Sequence, residues 1–336
     1  MPVNVDRWAN RVWYGDDPAK LSELLLRPLE WLYRAVIRIR THAYQFGILK
    51  THRLDVPVLV VGNLAVGGTG KTPLVIWMAQ CLLGAGFRPG IICRGYRGRA
   101  TDWPRAVSPS DDPVVVGDES VLLAKRAQVP VVAGPNRVAA ARALIATGRC
   151  DVVVSDDGLQ HRRLNRDLEI VVVDAVRRYG NERCLPAGPL REPMTRLRSV
   201  DAIVMNGESR DGGDAFAMTL VPGAPRRVLD DQPASDLERF LDAPIHAVAG
   251  IGRPKRFFDA LRATGMDVIE HAFPDHHDFV AGDLAFDDDA LVMMTEKDAV
   301  KCRAFADRRH WFLPVDAEPS PGFADWLAKR MAESPR

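Results

Sequence analysis

The stretch from Val58 to Pro73, Val-Leu-Val-Val-Gly-Asn-Leu-Ala-Val-Gly-Gly-Thr-Gly-Lys-Thr-Pro, constrains this chain more than any other. An apolar strand runs directly into a glycine-rich turn that closes on Gly70-Lys71-Thr72 and a helical pattern. Glycines let a backbone turn tightly and aim its N–H groups at phosphate oxygens, a lysine at the loop end neutralises their charge, and a neighbouring hydroxyl can ligate Mg²⁺. Ala65, Val66, Gly67, Gly68, Thr69, Gly70, Lys71 and Thr72 are therefore the candidate cradle for a nucleotide phosphate chain. The loop has its own shape: Ala65 stands where the strict G-x4-G-K-[ST] pattern has glycine, and Gly62, Gly67 and Gly68 are present instead.

A strand feeding such a loop calls for a parallel sheet, and the pattern beyond Val56 agrees. Short apolar runs at 58–61, 90–93, 130–133, 151–154, 169–173 and 202–205 alternate with helical patterns, notably 73–83 and 137–147. This is the rhythm of α/β folds with crossover helices. A Gly/Pro/Asp-rich region follows, with two short strand candidates at 215–220 and 226–229. From Pro244 a second unit begins, with strands expected at 244–251, 266–270 and 290–294 and a helix at 256–263. The expected fold is a phosphate-loop NTPase-like, mostly parallel sheet with flanking helices, preceded by an N-terminal amphipathic helix and followed by a smaller C-terminal α/β domain. The expected division is an N-terminal interface segment at 1–55, a nucleotide-binding core at 56–206, a linker at 207–236 and the smaller unit at 237–336.

Bulk properties exclude several classes. At 336 residues, 47% hydrophobic and 26% charged, the chain is an ordinary globular one, and its net charge of +1 gives no global basis for nucleic-acid binding. The five cysteines are scattered without a C-x-x-C pair, against both a zinc ribbon and a disulfide framework, and a reducing cytoplasm fits best. No window approaches ~18 uninterrupted apolar residues, and no signal-peptide pattern opens the chain, so neither spanning nor export is expected. Between Lys20 and Arg53, however, Leu25, Leu29, Leu32, Val36 and Ile39 fall in one narrow sector of a helix, almost opposite Arg27, Arg34 and Arg38. Seven Lys/Arg against two Glu, with Trp31, Tyr33, Tyr44 and Phe46 among them, suit a helix lying in a lipid interface. A helix docking its apolar stripe on the core gives the same pattern.

Other clusters sit at predicted strand ends, where ligands bind in α/β sheets. Ser155-Asp156-Asp157-Gly-Leu-Gln160-His161 follows an apolar run, and either aspartate can serve Mg²⁺, with Asp157 favoured for function and the other acid as a cap. Asp118 and Glu119 precede a helical pattern, where an N-cap and a carboxylate for a reacting hydroxyl are both open readings. Arg94-Gly-Tyr96-Arg97 suits a phosphate or headgroup, or a solvated loop. Phe273-Pro-Asp-His276-His277 is a turn carrying imidazole, which suggests metal only where other ligands converge; Thr295-Glu296-Lys297-Asp298 leaves binding and capping open.

In their order these segments, with Leu185-Pro-Ala-Gly-Pro-Leu-Arg191-Glu192-Pro193 and the aromatic-rich Trp8 to Tyr33, resemble the tetraacyldisaccharide 4′-kinase family, the lipid A 4′-kinases of Gram-negative bacteria. Cys93 stands where serine is expected before Arg-Gly-Tyr, and Leu159 where phenylalanine is common. The resemblance implies transfer of the γ-phosphoryl group of ATP, with Mg²⁺, to the 4′-hydroxyl of an acylated glucosamine disaccharide 1-phosphate. It implies a peripheral enzyme at the cytoplasmic face of the inner membrane, which favours the interfacial helix. Carried over residue by residue, it gives Asp118 as base supported by His276, with Lys71 and Asp157 also catalytic. Thr72, Glu119 and Asp156 become the Mg²⁺ environment, and Arg94, Arg137, Gln160, His161, Arg191 and Glu192 the acceptor environment. A membrane-associated regulatory NTPase would share the loop and the helix but consume no lipid; a metal-delivery NTPase lacks its Cys/His cluster.

Overall fold

The strand that enters the glycine-rich loop is buried along its whole length, and everything else is arranged around it. The computed structural model describes residues 5–15, 20–207 and 215–333, leaving aside the side chains of 5–8 and 20–22. The described helices are α1 Val5–Tyr14, α2 Lys20–Gln45, α3 Lys71–Gly84, α4 Pro113–Val116, α5 Asp118–Ala127, α6 Arg137–Ala146, α7 Pro254–Ala263, α8 Glu296–Cys302 and α9 Pro321–Glu333. The strands are β1 Val58–Gly62, β2 Pro89–Cys93, β3 Arg105–Val107, β4 Val131–Ala133, β5 Val152–Asp156, β6 Leu168–Asp174 and β7 Ala202–Asn206. They continue with β8 Phe216–Pro222, β9 Arg226–Arg227, β10 Ile245–Ala249, β11 Val268–Ala272, β12 Val292–Thr295, β13 His310–Leu313 and β14 Val315–Pro319.

One sheet has the order β14-β8-β7-β6-β1-β5-β2-β4-β3, parallel from β8 to β4 with an antiparallel strand at each edge. β1 lies between β5 and β6, so the chain reverses its direction of winding there and opens a crevice at the carboxyl ends of these strands. Both faces are covered. Leu74, Val75, Met78 and Leu82 of α3 pack with Leu123 and Ala127 of α5 and Phe323 and Leu327 of α9 on one face; Ala140, Ala141 and Leu144 of α6 pack with Leu159 and Leu190 on the other. Continuous apolar strands such as Val152-Val-Val are what a doubly covered parallel sheet requires.

The smaller sheet, β11-β10-β12-β13-β9, is parallel except for β9. Here the structure corrects the expected division. β8 in the expected linker joins the large sheet, and the expected C-terminal unit 237–336 is not one body: β14 pairs with β8, and α9 packs on the large sheet. The smaller sheet is therefore an excursion of the chain between β8 and β14. Sequence patterning missed β13, β14 and α9; β14 is a half-exposed edge strand without a continuous apolar run.

α2 has 26 residues, about 39 Å at 1.5 Å per residue, and it docks by its polar side. Glu30 is 1% exposed and accepts from the Cys184 N–H (3.2 Å) and Arg183 (3.4 Å); Tyr33 donates to the Arg191 carbonyl (3.0 Å). Leu25, Leu29, Leu32, Val36 and Ile39 are 53–69% exposed. The core-docking reading of the stripe is thus overturned: acid and tyrosine face the protein, leucine faces outward. Among the described residues no helix is long and apolar enough to cross a membrane.

Candidate active site

Residues 63–70 link β1 to α3, and their shape is held from three sides. Asn63 donates to the Gly67 carbonyl (3.1 Å), Val66 N–H to the Pro189 carbonyl (2.9 Å), and the Asn206 side chain at the end of β7 to the Thr69 carbonyl (3.0 Å). Gly70 has φ +91°, and a Cβ there would lie 2.7 Å from Asn206 Nδ2, so both conformation and space demand glycine. Around Gly67 and Gly68 there is open space, and the buried Thr69 hydroxyl has no protein partner.

The two aspartates at the end of β5 stand in different surroundings. Asp157 is held in the left-handed region (φ +49°), with Lys71 at 3.5 Å and Arg191 donating to both oxygens at 3.0 and 3.2 Å. Burial acts to raise its pKa, but Lys71 and Arg191 outweigh burial and hold it at about 2. Asp156, beside Thr72, is the acid pointed at the loop: the Thr72 hydroxyl donates to its Oδ2 (3.4 Å), and its buried Oδ1 has no partner. Burial, reinforced by the charge of Glu119 and opposed by Lys71, pushes Asp156 up to about 7. An unpartnered carboxylate oxygen, a hydroxyl and a second acid within its electrostatic reach are a donor set that fits a hard divalent cation, which takes few protein ligands when phosphates supply the rest. Among the described residues no cluster of three or more His, Cys, Asp or Glu forms a self-sufficient metal site, and His276 and His277 form none.

Asp118 opens α5 behind Gly117, so it lies in the first turn and is not the N-cap. Its Oδ2 is 3.2 Å from Nδ1 of His276, which arrives from the smaller sheet; the Tyr96 ring lies 5.0 Å from the imidazole. Burial acts to raise the Asp118 pKa, but the His276 hydrogen bond and the Lys297 charge bring it below the usual range, so the carboxylate is ionised at neutral pH. Lys297, left open by sequence reading, donates to Glu119 (3.0 Å) and lies 3.2 Å from Nε2 of His276. The only sequence signal for it was a charged run after a strand.

The expected acceptor residues separate into two groups. Arg191 and Gln160 stand together beside Asp157 (Arg191 to Gln160 Oε1, 3.5 Å), and Arg94 is exposed at the end of β2, its charge felt by His161. Arg137 and Glu192 are 3% and 4% exposed. Arg137 donates to the carbonyls of Gly134 (2.8 Å) and Asp156 (3.1 Å), and Glu192 is occupied by Gln160 (3.2 Å) and Arg162 (2.8 Å). Both are buried and engaged by neighbouring groups. Arg137 and His161 also line a groove of about 330 Å³ with Arg40, Asn136 and Arg163. Cys93 is buried, 3.1 Å from the Ser120 hydroxyl, and burial pushes its thiol to about 11.

A doubly covered parallel sheet with this loop at its crevice and acids at adjoining strand ends defines an ATP-dependent phosphotransferase of the phosphate-loop class. Residues 22–332 match the family model described as tetraacyldisaccharide-1-P 4′-kinase. Proteins named tetraacyldisaccharide 4′-kinase from Nitrosococcus oceani and Alkalilimnicola ehrlichii are 51% and 53% identical, over 93% and 91% of this chain and 91% and 92% of their own lengths. The crystal structure of LpxK from Aquifex aeolicus in complex with ATP superposes with a TM-score of 0.78 at 30% identity, covering 93% of this chain and 98% of that one. The chain belongs to the tetraacyldisaccharide 4′-kinase family.

Proposed function

We propose that this chain transfers the γ-phosphoryl group of ATP to the 4′-hydroxyl of a tetraacylated glucosamine disaccharide 1-phosphate, yielding lipid IV-A. The observation that carries the site assignment is the short chain of contacts joining cradle to carboxylate. Thr72 touches Asp156, Glu119 acts electrostatically on Asp156, and Glu119 leads through Lys297 and His276 to Asp118. In the proposed reaction the 4′-oxygen bonds to the γ-phosphorus, the β,γ-bridging oxygen leaves with ADP, and Asp118 accepts the hydroxyl proton. Phosphoryl transfer needs chiefly alignment and charge stabilisation. Lys71, fixed by Asp157, supplies positive charge at the β/γ oxygens; Arg191, bonded to the same aspartate, and Gln160 beside it face the acceptor. Thr72, Asp156 and Glu119 would hold Mg²⁺, which when bound neutralises phosphate charge. Arg137 keeps the end of β5 in position.

The acceptor is a lipid, and the exposed leucine stripe of α2 supports peripheral binding at the cytoplasmic leaflet of the inner membrane, with arginines suited to anionic headgroups. The unit carrying His276 and Lys297 is proposed to close over the cleft. Incubating the protein with γ-labelled ATP, Mg²⁺ and the disaccharide 1-phosphate tests the reaction: label is expected in the lipid, at the 4′ position. Label released only as inorganic phosphate would favour the acceptor-free regulatory NTPase instead.

A further inference from the structure

Lys297 touches neither nucleotide loop nor acceptor residue, yet it is a largely buried ammonium wedged between two groups of the site. Its Nζ lies 3.0 Å from Glu119 Oε1 and 3.2 Å from Nε2 of His276. An ammonium carries donors and no acceptor, so the ring nitrogen facing it must offer a lone pair. A neutral imidazole has one N–H, and with Nε2 accepting, that hydrogen sits on Nδ1, the atom 3.2 Å from Asp118 Oδ2. The competing partner is Asp275, whose Oδ1 would favour the opposite tautomer, but at 3.9 Å from Nε2 it is outside hydrogen-bond range.

We infer that Lys297 is a positioning residue for phosphoryl transfer, holding His276 in the tautomer that presents Nδ1–H to Asp118. The inference rests on the reading of Asp118 and His276 as the catalytic pair. Further contacts hold the histidine in place. Its N–H donates to the Gly250 carbonyl (3.0 Å) and its own carbonyl accepts from Arg97 (2.5 Å), which leaves the ring nitrogens as its remaining choice of partner. Burial works against the lysine's charge, but the carboxylates of Glu119, Asp118 and Asp275 outweigh burial and keep it an ammonium. Sequence alone hid this role, because Lys297 is 21 residues from the histidine it orients.

The test is a ¹⁵N spectrum of histidine-labelled full-length protein, with the His276 ring assigned by its loss in His276→Ala. The wild type is expected to show the proton on Nδ1. In Lys297→Met that preference should be lost and kcat should fall about 10- to 100-fold, the usual effect of losing an orienting partner, with KM for ATP little changed. Lys297→Arg, which keeps the donor and charge, should restore the tautomer and most of kcat. A wild-type proton on Nε2, or an unchanged tautomer in Lys297→Met, would overturn the inference. The wild-type spectrum decides even if the methionine variant does not fold. A shifted tautomer with undiminished phosphoryl transfer would instead sink the reading of Asp118 and His276 as the catalytic pair.

Discussion

Single side chains make the sharpest expectations. Lys71→Ala removes a fixed positive charge from the region where the transition state spreads negative charge, so most phosphoryl transfer should be lost at saturating Mg·ATP. Near-normal label incorporation by that variant would contradict the loop assignment. Asp118→Asn keeps shape but accepts a proton poorly, and turnover should fall on the order of 10²–10⁴-fold with ATP affinity and melting temperature little changed. His276→Ala acts in the same step, so the double variant should lose less than the product of the single losses; fully multiplicative losses in single-turnover assays would separate the two residues. His161 gives a pH signature. Burial above all, with Arg137 and Arg94, lowers its pKa from 6.5 to about 4. The unfolded chain therefore binds a proton between these values that the folded chain refuses. Stability should fall as pH drops from the upper value toward the lower and be unaffected above neutrality. His161→Gln should flatten this acid-side slope in melting temperature measured from pH 4 to 8.

At the scale of elements, α2 and the loop show what a sequence can and cannot reveal. The apolar stripe of α2 was legible from its spacing, but its direction was not, because a periodic pattern fixes a face without saying what lies against it. Glu30, only 1% exposed, decides the matter, and a lone glutamate in a helix carries no such signal. Replacing Leu25, Leu29 and Leu32 by glutamate should therefore abolish binding to anionic liposomes while leaving the melting temperature nearly unchanged, since exposed substitutions usually cost within ~0.5 kcal/mol. Glu30→Ala should do the reverse, costing ~1–3 kcal/mol by leaving the Cys184 N–H and Arg183 without their acceptor. Loss of folding in the triple variant would refute the outward orientation. The loop and the β5 acids were legible because strand, glycine and acid are adjacent in sequence. The grip of Arg191 on Asp157 was not, because the two lie 34 residues apart.

In the whole molecule the two sheets are stitched by side chains from both sides. Arg126 of α5 donates to Glu296 of α8 (2.5 and 2.7 Å), and Arg253, the N-cap of α7, and Arg256 within it reach Asp174 at the end of β6. Arg256 also donates to Asn206 (3.2 Å), which in turn donates to the Thr69 carbonyl, so α7 reaches the phosphate loop through two hydrogen bonds. Arg256→Ala should weaken ATP binding about fivefold, equivalent to ~1 kcal/mol for a lost hydrogen bond; calorimetry showing unaltered affinity would break that connection. The chain leaves the large sheet after Pro222 and re-enters at Val315, and these two residues are register partners, with the Gly223 N–H bonded to the Pro314 carbonyl at 2.9 Å. Both crossings thus share one point, a two-stranded neck through which the smaller unit joins the large sheet. His276 and Lys297 lie on the same side of that neck, so a change at Pro222 or Val315 is expected to alter their distances to Asp118 and Glu119 together, and a spectroscopic ruler spanning either gap should read both.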